Sequence, residues 1–286
     1  YADVALYRAK QEGRNRFSFF EEAMNETLRL RQVIEADLRQ AIDGDQLVLH
    51  YQPIYTADGQ TMTGVEALVR WQHPTRGLIP PNEFIGVAEE RGLISALGEW
   101  VLRRACTEMR DWKHLSVAVN VSPVQFHQRS FVKTVGRILE ETAFEPSRLE
   151  LEMTEGVLVE DADQAEAQMR ELRTMGVRLA LDDFGVGYSS LIYLRRFAFD
   201  KIKIDRSFLE SMDSTGESAI LVHSIVHLGR ALGLQVLAEG VETEEQRRFL
   251  QAVGCQQLQG FYLSRPIPLP KLAEMLDKTL PAVQAA

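Results

Sequence analysis

Cysteine is nearly absent: Cys106 and Cys255 are the whole complement of 286 residues. Two cysteines cannot build a disulfide framework, and they read as buried thiols of a cytoplasmic protein. The paired Cys and His spacings of a structural zinc site are missing too. His50, His73, His114, His127, His223 and His227 form no cluster in the sequence. His223 and His227 stand four apart but lack the acidic residue that a zincin helix carries between them, so they read as a helix face. No apolar run approaches the ~20 residues of a membrane span, and no signal peptide is recognisable. Basic residues are in deficit, 32 against 41 acidic, for a net charge of −9 and a pI near 5.3. That excludes a general nucleic-acid coat, which needs clustered cations against phosphates, so no nucleic-acid polymer is expected as partner. A small phosphate ligand held through metal ions stays open.

What is present is an ordinary globular composition, 45% hydrophobic and 26% charged, enough for one large core. The chain opens "YADVALYRAK" without an initiator Met. We expect a piece of a longer protein, whose parent can be anchored in the inner membrane. Residues 1–21 read as a helix, a Gly-containing turn and a short strand. "EAMNETLRLRQVIEADLRQAID" follows, charged and helical in period, with Gly44 as its stop. The expected division is 1–24, then 25–45 as linker or first helix, then a main domain over 46–286.

From Gln46 onward strand-like and helical runs alternate. The strand candidates are 47–55, 62–71, 116–122, 149–155, 178–184, 200–205, 235–240 and 257–264. Eight strands with mostly helical crossovers over about 240 residues predict an α/β fold, a TIM-like (β/α)8 barrel. Only "TADGQT" separates the first two strands, too short for a parallel crossover. The first strand is therefore expected to run antiparallel to the rest. A doubly wound open sheet is the runner-up.

Barrel chemistry sits at the C-terminal ends of strands. Here those ends carry Glu66 with Arg70, Asn120, Glu152 with Glu155, Asp182 with Asp183, Lys203 with Asp205, Glu239 with Glu242, and Gln259. One such acid is usually a solvated end or a helix cap. A converging set is different, because unpaired buried carboxylates cost too much to gather without a purpose. Hard divalent cations, Mg2+ or Mn2+, suit carboxylate and amide oxygens. Asp182 and Asp183 would suit the bridge between two ions and a ligand of the second, with Glu66, Asn120 and Glu152 around the first. Lys203 would position or deprotonate a water, or simply pair with Asp205 or a neighbouring carboxylate. The tripeptide "DFG" at 183–185 also occurs in protein kinases, but the other kinase loops are absent. Adjacent acids alternate faces on a strand, so the strand is expected to end or bend near Asp183, with Gly185 and Gly187 permitting it. Ser189 or Ser190 would cap the next helix.

The segments "EALVR" (66–70), "NVSPVQF" (120–126), "LEMTE" (151–155), "LDDFGVGYSS" (181–190), "DKIKIDRSF" (200–208), "AEGVET" (238–243) and "QLQGFYLSRPIP" (257–268) resemble the EAL-domain cyclic di-GMP phosphodiesterases. Residues 1–21 resemble the C-terminal tail of a GGDEF (diguanylate cyclase) domain, without its signature loop. The resemblance implies hydrolysis of cyclic di-GMP to linear pGpG by two ions of Mg2+ or Mn2+ per site, with Ca2+ inhibitory. It implies Glu66, Asn120, Glu152 and Asp182 at one metal, and Asp182 and Asp183 at the other. Lys203 and Glu239 match residues near the attacking water, with Lys203 as its activator, and Gln259 helps hold that water. Gln52, Leu68, Arg70, Asp205, Glu242 and Gln259 match substrate contacts. Glu155 matches the tether of the loop 182–190. A homodimer through that loop, and an upstream GGDEF domain with sensor domains, are the implied partners. The alternatives are a receptor module that binds cyclic di-GMP without cutting it, and a metal-dependent barrel hydrolase of simpler phosphoesters.

Overall fold

The computed structural model describes residues 22–159, 161–185, 191–210 and 217–279. They divide into two compact units. One takes the residues up to Leu47 together with Trp71–Ile94; the other takes Val48–Arg70 and everything from Ser95 onward. Most of the expected diguanylate-cyclase tail, and residues 186–190 of the glycine loop, lie outside the described residues.

Ten strands are described: β1 (Leu47–Thr56), β2 (Met62–His73), β3 (Gly77–Ile79), β4 (Ser116–Asn120), β5 (Leu149–Met153), β6 (Arg178–Phe184), β7 (Lys201–Ile204), β8 (Gln235–Ala238), β9 (Gln257–Leu258) and β10 (Ile267–Pro268). In the second unit, β2, β4, β5, β6, β7, β8 and β9 pair in that order and in parallel, with Val119 opposite Leu151 and Ile202 opposite Val236 as typical registers. β1 runs antiparallel to β9, Tyr55 opposite Leu258, and pairs with β2 on its other side. Eight strands close, which overturns the open-sheet alternative and confirms the reversed first strand. The short link works because the Thr56 N–H donates to Thr61 O at 2.9 Å, a tight hairpin turn. β10 extends the antiparallel pairing along β1 at His50 and Tyr51.

The helices bury stripes at the spacing of an amphipathic helix. Phe131–Thr142 covers Phe131, Val135, Ile138, Leu139 and Thr142 in this way. Glu244–Val253 opens with a reciprocal cap: Gln246 N–H donates to Thr243 Oγ1, and Thr243 N–H donates to Gln246 Oε1, both at 3.2 Å. Gly254 ends that helix in the left-handed region, φ +85°.

The last strand is shorter than its apolar run predicts. Only Gln257 and Leu258 pair, because a Cβ on Gly260 would stand 2.1 Å from Val241 O and 2.2 Å from Val241 N. The chain packs backbone on backbone there and turns, with Leu263 and Ser264 N–H returning to Gly260 O.

Arg148 enters β5 as a staple, 7% exposed. Its guanidinium donates to the carbonyls of Leu115 (2.8 Å), Arg110 (3.1 Å), Met109 (2.7 Å) and Trp112 (2.8 Å) and stacks over Phe144. Charged donors stabilise more than neutral ones, and these carbonyls would lose their partner together. Arg148→Met is expected to lower stability by about 3 kcal/mol, read from urea unfolding, without changing the site above it.

The first unit packs Ile34, Leu38 and Ala41 of the helix Glu22–Asp43 with Trp71, Ile79 and Phe84 in its core. Trp71 meets Phe84 edge-on at 5.7 Å and donates Nε1–H to Gln46 Oε1. Both cysteines are free and buried, and burial pushes each thiol up to about 12. Among the described residues no helix is long and apolar enough to cross a membrane.

Candidate active site

Residues two apart on a strand share a face, so β5 and β7 each send two long polar side chains into the barrel. The upper pair forms the floor of the site. Lys203 Nζ stands 2.7 Å from Glu152 Oε2, 2.7 Å from Glu239 Oε1 and 3.2 Å from Asp182 Oδ1. Lys203 and Glu152 are buried. They meet across β6 because its residue in register with Glu152 is Ala180, whose methyl group leaves the space. Lys203 therefore pairs with three carboxylates at once, and its partners do not include Asp205. The Asp205 carboxylate instead accepts from the Ser207 N–H.

Glu66 is the second anchor, on β2 and 7% exposed. It accepts from Asn120 Nδ2 at 2.7 Å and from Gln259 Nε2 at 2.6 Å. Gln259 also donates to Gln52 Oε1, and Gln52 donates to Ser264 O. One chain of amides thus ties β1, β2, β4 and the turn after β9 together around a carboxylate.

The two neighbouring acids are handled by a bulge. β6 does not end at Asp183 but runs on to Phe184, and its pairing with β7 slips between Leu181, opposite Ile202, and Phe184, opposite Ile204. Two residues, Asp182 and Asp183, face the single Lys203. Asp183 takes φ +53°, the left-handed region that aspartate tolerates better than most residues. Its N–H closes onto Asp182 Oδ1 at 3.0 Å. The bulge rather than the end of the strand breaks the alternation.

Burial works against the Lys203 ammonium, but Asp182, Glu152 and Glu239 outweigh it and hold its pKa well above the ordinary value. The deficit falls on the acids. Burial pushes Glu152 well above the carboxylate range against the pull of Lys203, with Glu66 and Asp182 adding to the rise. Burial likewise raises Asp183, reinforced by Asp182 and Asp205. Glu239, 21% exposed, is pushed up to about 7, chiefly by burial and opposed by Lys203. A carboxyl whose folded pKa lies above its unfolded value makes folding less favourable as pH rises through the interval between them. For Glu239 the interval runs from 4.5 to about 7. In chelator-treated protein Tm is expected to fall across that window, and Glu239→Gln to flatten the fall; a Tm rising there in both proteins would contradict the assignment.

These groups open into a cleft of about 270 Å3 lined by Gln52, Glu66, Leu68, Asp182, Lys203, Glu239, Glu242 and Gln259, all singled out from the sequence. Asn120 and Glu152 sit just beneath it through Glu66 and Lys203. Arg70 is part-buried on β2, its Nη1 on Val69 O, and outside the lining. Asp183 is on the exposed side of the bulge. Glu155 follows β5, and the loop expected to be tethered by it lies outside the described residues at 186–190. The lining adds Arg206, Phe261 and Pro266, to which the sequence pattern does not point. Arg206 directly follows "KIKID", and Phe261 falls within a strand candidate; it is 49% exposed, with the Arg265 guanidinium over its ring.

The acids converge on Lys203 rather than on one another, and among the described residues no three His, Cys, Asp or Glu side chains stand ready around one ion. Two buried oxygens, Glu152 Oε1 and Gln259 Oε1, nevertheless have no hydrogen-bond partner. A set of carboxylate and amide oxygens with unused buried lone pairs fits a hard divalent cation.

The family model described as "EAL domain" matches residues 35–266. A Pseudomonas aeruginosa protein named as bifunctional diguanylate cyclase/cyclic di-GMP phosphodiesterase MucR is 47% identical over 95% of this chain and 40% of its own length. The Escherichia coli cyclic di-GMP phosphodiesterase PdeR is 41% identical over 94% of this chain and 41% of its own. The chain thus spans about two fifths of these relatives. A solved structure described as the PaMucR phosphodiesterase in complex with c-di-GMP superposes with a TM-score of 0.81 at 47% identity, over 84% of this chain and 99% of that one.

Proposed function

The chain belongs to the EAL-domain family, and on that premise we propose that it hydrolyses one phosphodiester bond of cyclic di-GMP to release linear pGpG. The observation that carries this reading is the Lys203 ammonium held by Glu152, Asp182 and Glu239 at the floor of an open cleft.

A phosphodiester is an anion that repels an incoming oxygen nucleophile. Glu66, Asn120, Glu152 and Asp182 are the residues that would hold one Mg2+ or Mn2+, and Asp182 with Asp183 a second; such cations neutralise the phosphate and make a water acidic. Lys203, held strongly protonated, orients the attacking water and offsets anionic charge. It is poorly suited to take a proton. Glu239, an acid in the cleft lining that pairs with Lys203 at 2.7 Å, is the group we assign to accept the proton instead. Gln259 steadies the water from the Glu66 side. Arg206 at the cleft wall and Arg70 behind it supply positive charge for the phosphates, and Leu68 and Phe261 supply apolar surface for the bases. Gln52 and Glu242 in the cleft lining, with Asp205 just past the end of β7 and outside that lining, are the remaining proposed substrate contacts. We place the reaction in the cytoplasm, in a parent with an upstream GGDEF domain, and a homodimer through the region of the loop 182–190 as its assembly; equal activity of monomer and dimer would count against that contact regulating turnover.

The test is turnover by purified protein with Mg2+ or Mn2+, following pGpG by chromatography. Ca2+ is expected to support substrate binding without hydrolysis. No pGpG from a folded, metal-loaded sample sinks the reading, and tight binding without product would identify a receptor module instead.

A further inference from the structure

Beneath the site lies a second ion pair that the reaction does not use. Lys201 Nζ donates to Glu150 Oε1 at 2.6 Å, and both side chains are 2% exposed. Barrel interiors are ordinarily filled with branched apolar side chains. A buried ion pair is often no more stabilising than apolar residues of the same volume, so stability alone gives no reason for it. Its place suggests one.

Glu150 stands two residues before Glu152 on β5, and Lys201 two before Lys203 on β7, so each shares a face with its counterpart. Small residues make room for both pairs. Ala180 is in register with Glu152 on one side and Lys201 on the other. Ala118 is in register with Glu66 and with Glu150. The two layers are therefore in electrostatic contact, and Glu150 is among the charges that act on Glu152. Glu150 Oε2 has no hydrogen-bond partner. Arg178, in register beside Glu150 on β6, makes no ion pair with it among the described residues, which leaves Lys201 as its counter-charge. Without Lys201, Glu150 would be a bare buried carboxylate beneath the Lys203 ammonium.

We propose that Lys201 is a positioning residue of the hydrolytic site: by neutralising Glu150 it keeps the Lys203 ammonium among Glu152, Asp182 and Glu239. The inference rests on the hydrolase reading above, and neither Lys201 nor Glu150 lines the cleft. A charge imbalance of either sign in the lower layer should displace Lys203. Removing Lys201 draws the Lys203 ammonium down toward Glu150. Neutralising Glu150 frees Lys201 to compete for Glu152.

The experiment compares Lys201→Met, Glu150→Gln and the double variant in the whole chain. One readout is kcat and KM for cyclic di-GMP with Mn2+. The other is the Lys203 ammonium resonance in metal-free protein labelled with 15N-lysine, assigned by its loss in Lys203→Met. Each single variant is expected to lower kcat about tenfold, with KM within about twofold, as outer-layer partners of catalytic groups do. Each should also shift the Lys203 signal. The double variant leaves no unpaired charge and should return kcat to within about threefold of wild type. Single variants with wild-type kcat and an unmoved Lys203 signal overturn the proposal, and so does a double variant as slow as the singles. If Lys201→Met does not fold, Glu150→Gln, which keeps an acceptor oxygen for Lys201, decides by the same two readouts. A wild type that makes no pGpG sinks the hydrolase reading itself; an active wild type with indifferent variants sinks this inference alone.

Discussion

Lys203→Met is expected to lower kcat about a thousandfold, the upper end of the range for losing a preorganised charged donor that orients the water and offsets developing negative charge. The reason lies in the arrangement of charge. Three carboxylates take one ammonium as shared partner at 2.7, 2.7 and 3.2 Å. Methionine fills much of the same volume but leaves Glu152 buried without a counter-ion. Breaking a buried pair by removing one partner costs about 3–5 kcal/mol. Here the acids can relieve part of it by taking protons. The variant should therefore be destabilised most above neutral pH and recover toward acid pH, as a raised carboxyl pKa requires. Lys203→Arg keeps the charge but replaces a compact ammonium by a planar fork. It is expected to retain more stability than kcat. Initial rates of pGpG release, with urea unfolding at pH 5 and pH 8, separate the two effects. A Lys203→Met enzyme within about tenfold of wild type would remove Lys203 from the chemistry.

Glu66→Ala is expected to lower kcat/KM by at least about a hundredfold, the scale for losing a group that holds or orients a catalytic ion. Glu66 is the acceptor for Asn120 Nδ2 and Gln259 Nε2. Its removal strands both donors, at about 1–3 kcal/mol each where water cannot replace it, and frees the amide chain that runs on to Gln52. Rates measured against Mn2+ concentration sort the causes. Partial recovery at high Mn2+ means Glu66 sets cation affinity; a flat, low rate means it sets geometry. A rate close to wild type at low Mn2+ would exclude both roles.

Much of the site is legible in the sequence because strand ends are local features. Glu66, Asn120, Glu152, Asp182, Lys203, Glu239 and Gln259 each stand inside or just after an apolar run, and a closed barrel must bring such ends together. The residues that escape such a reading do so for physical causes. Phe261 sits in an apolar run with the pattern of a strand, and only the approach of Gly260 to the Val241 backbone turns it into a cleft wall. Arg206 lies one residue past Asp205, the acid that marks the end of its strand. The left-handed Asp183 leaves no trace in residue type, since aspartate is as common in ordinary turns.

Local spacing along the chain sets the strand–helix rhythm, the reversed first strand and the chemical character of the barrel mouth. Each follows from spacing within a few residues: alternation, a link too short to cross over, and acids at the ends of apolar runs. Tertiary structure alone decided the partners. Glu152 and Lys203 are 51 residues apart and Glu66 and Gln259 are 193 apart, so their pairing depends on strand register around a closed sheet. The same closure stacks Glu150 and Lys201 under the site and sets two aspartates against one lysine. Register is a sum over all the strands, and no local stretch of sequence carries it.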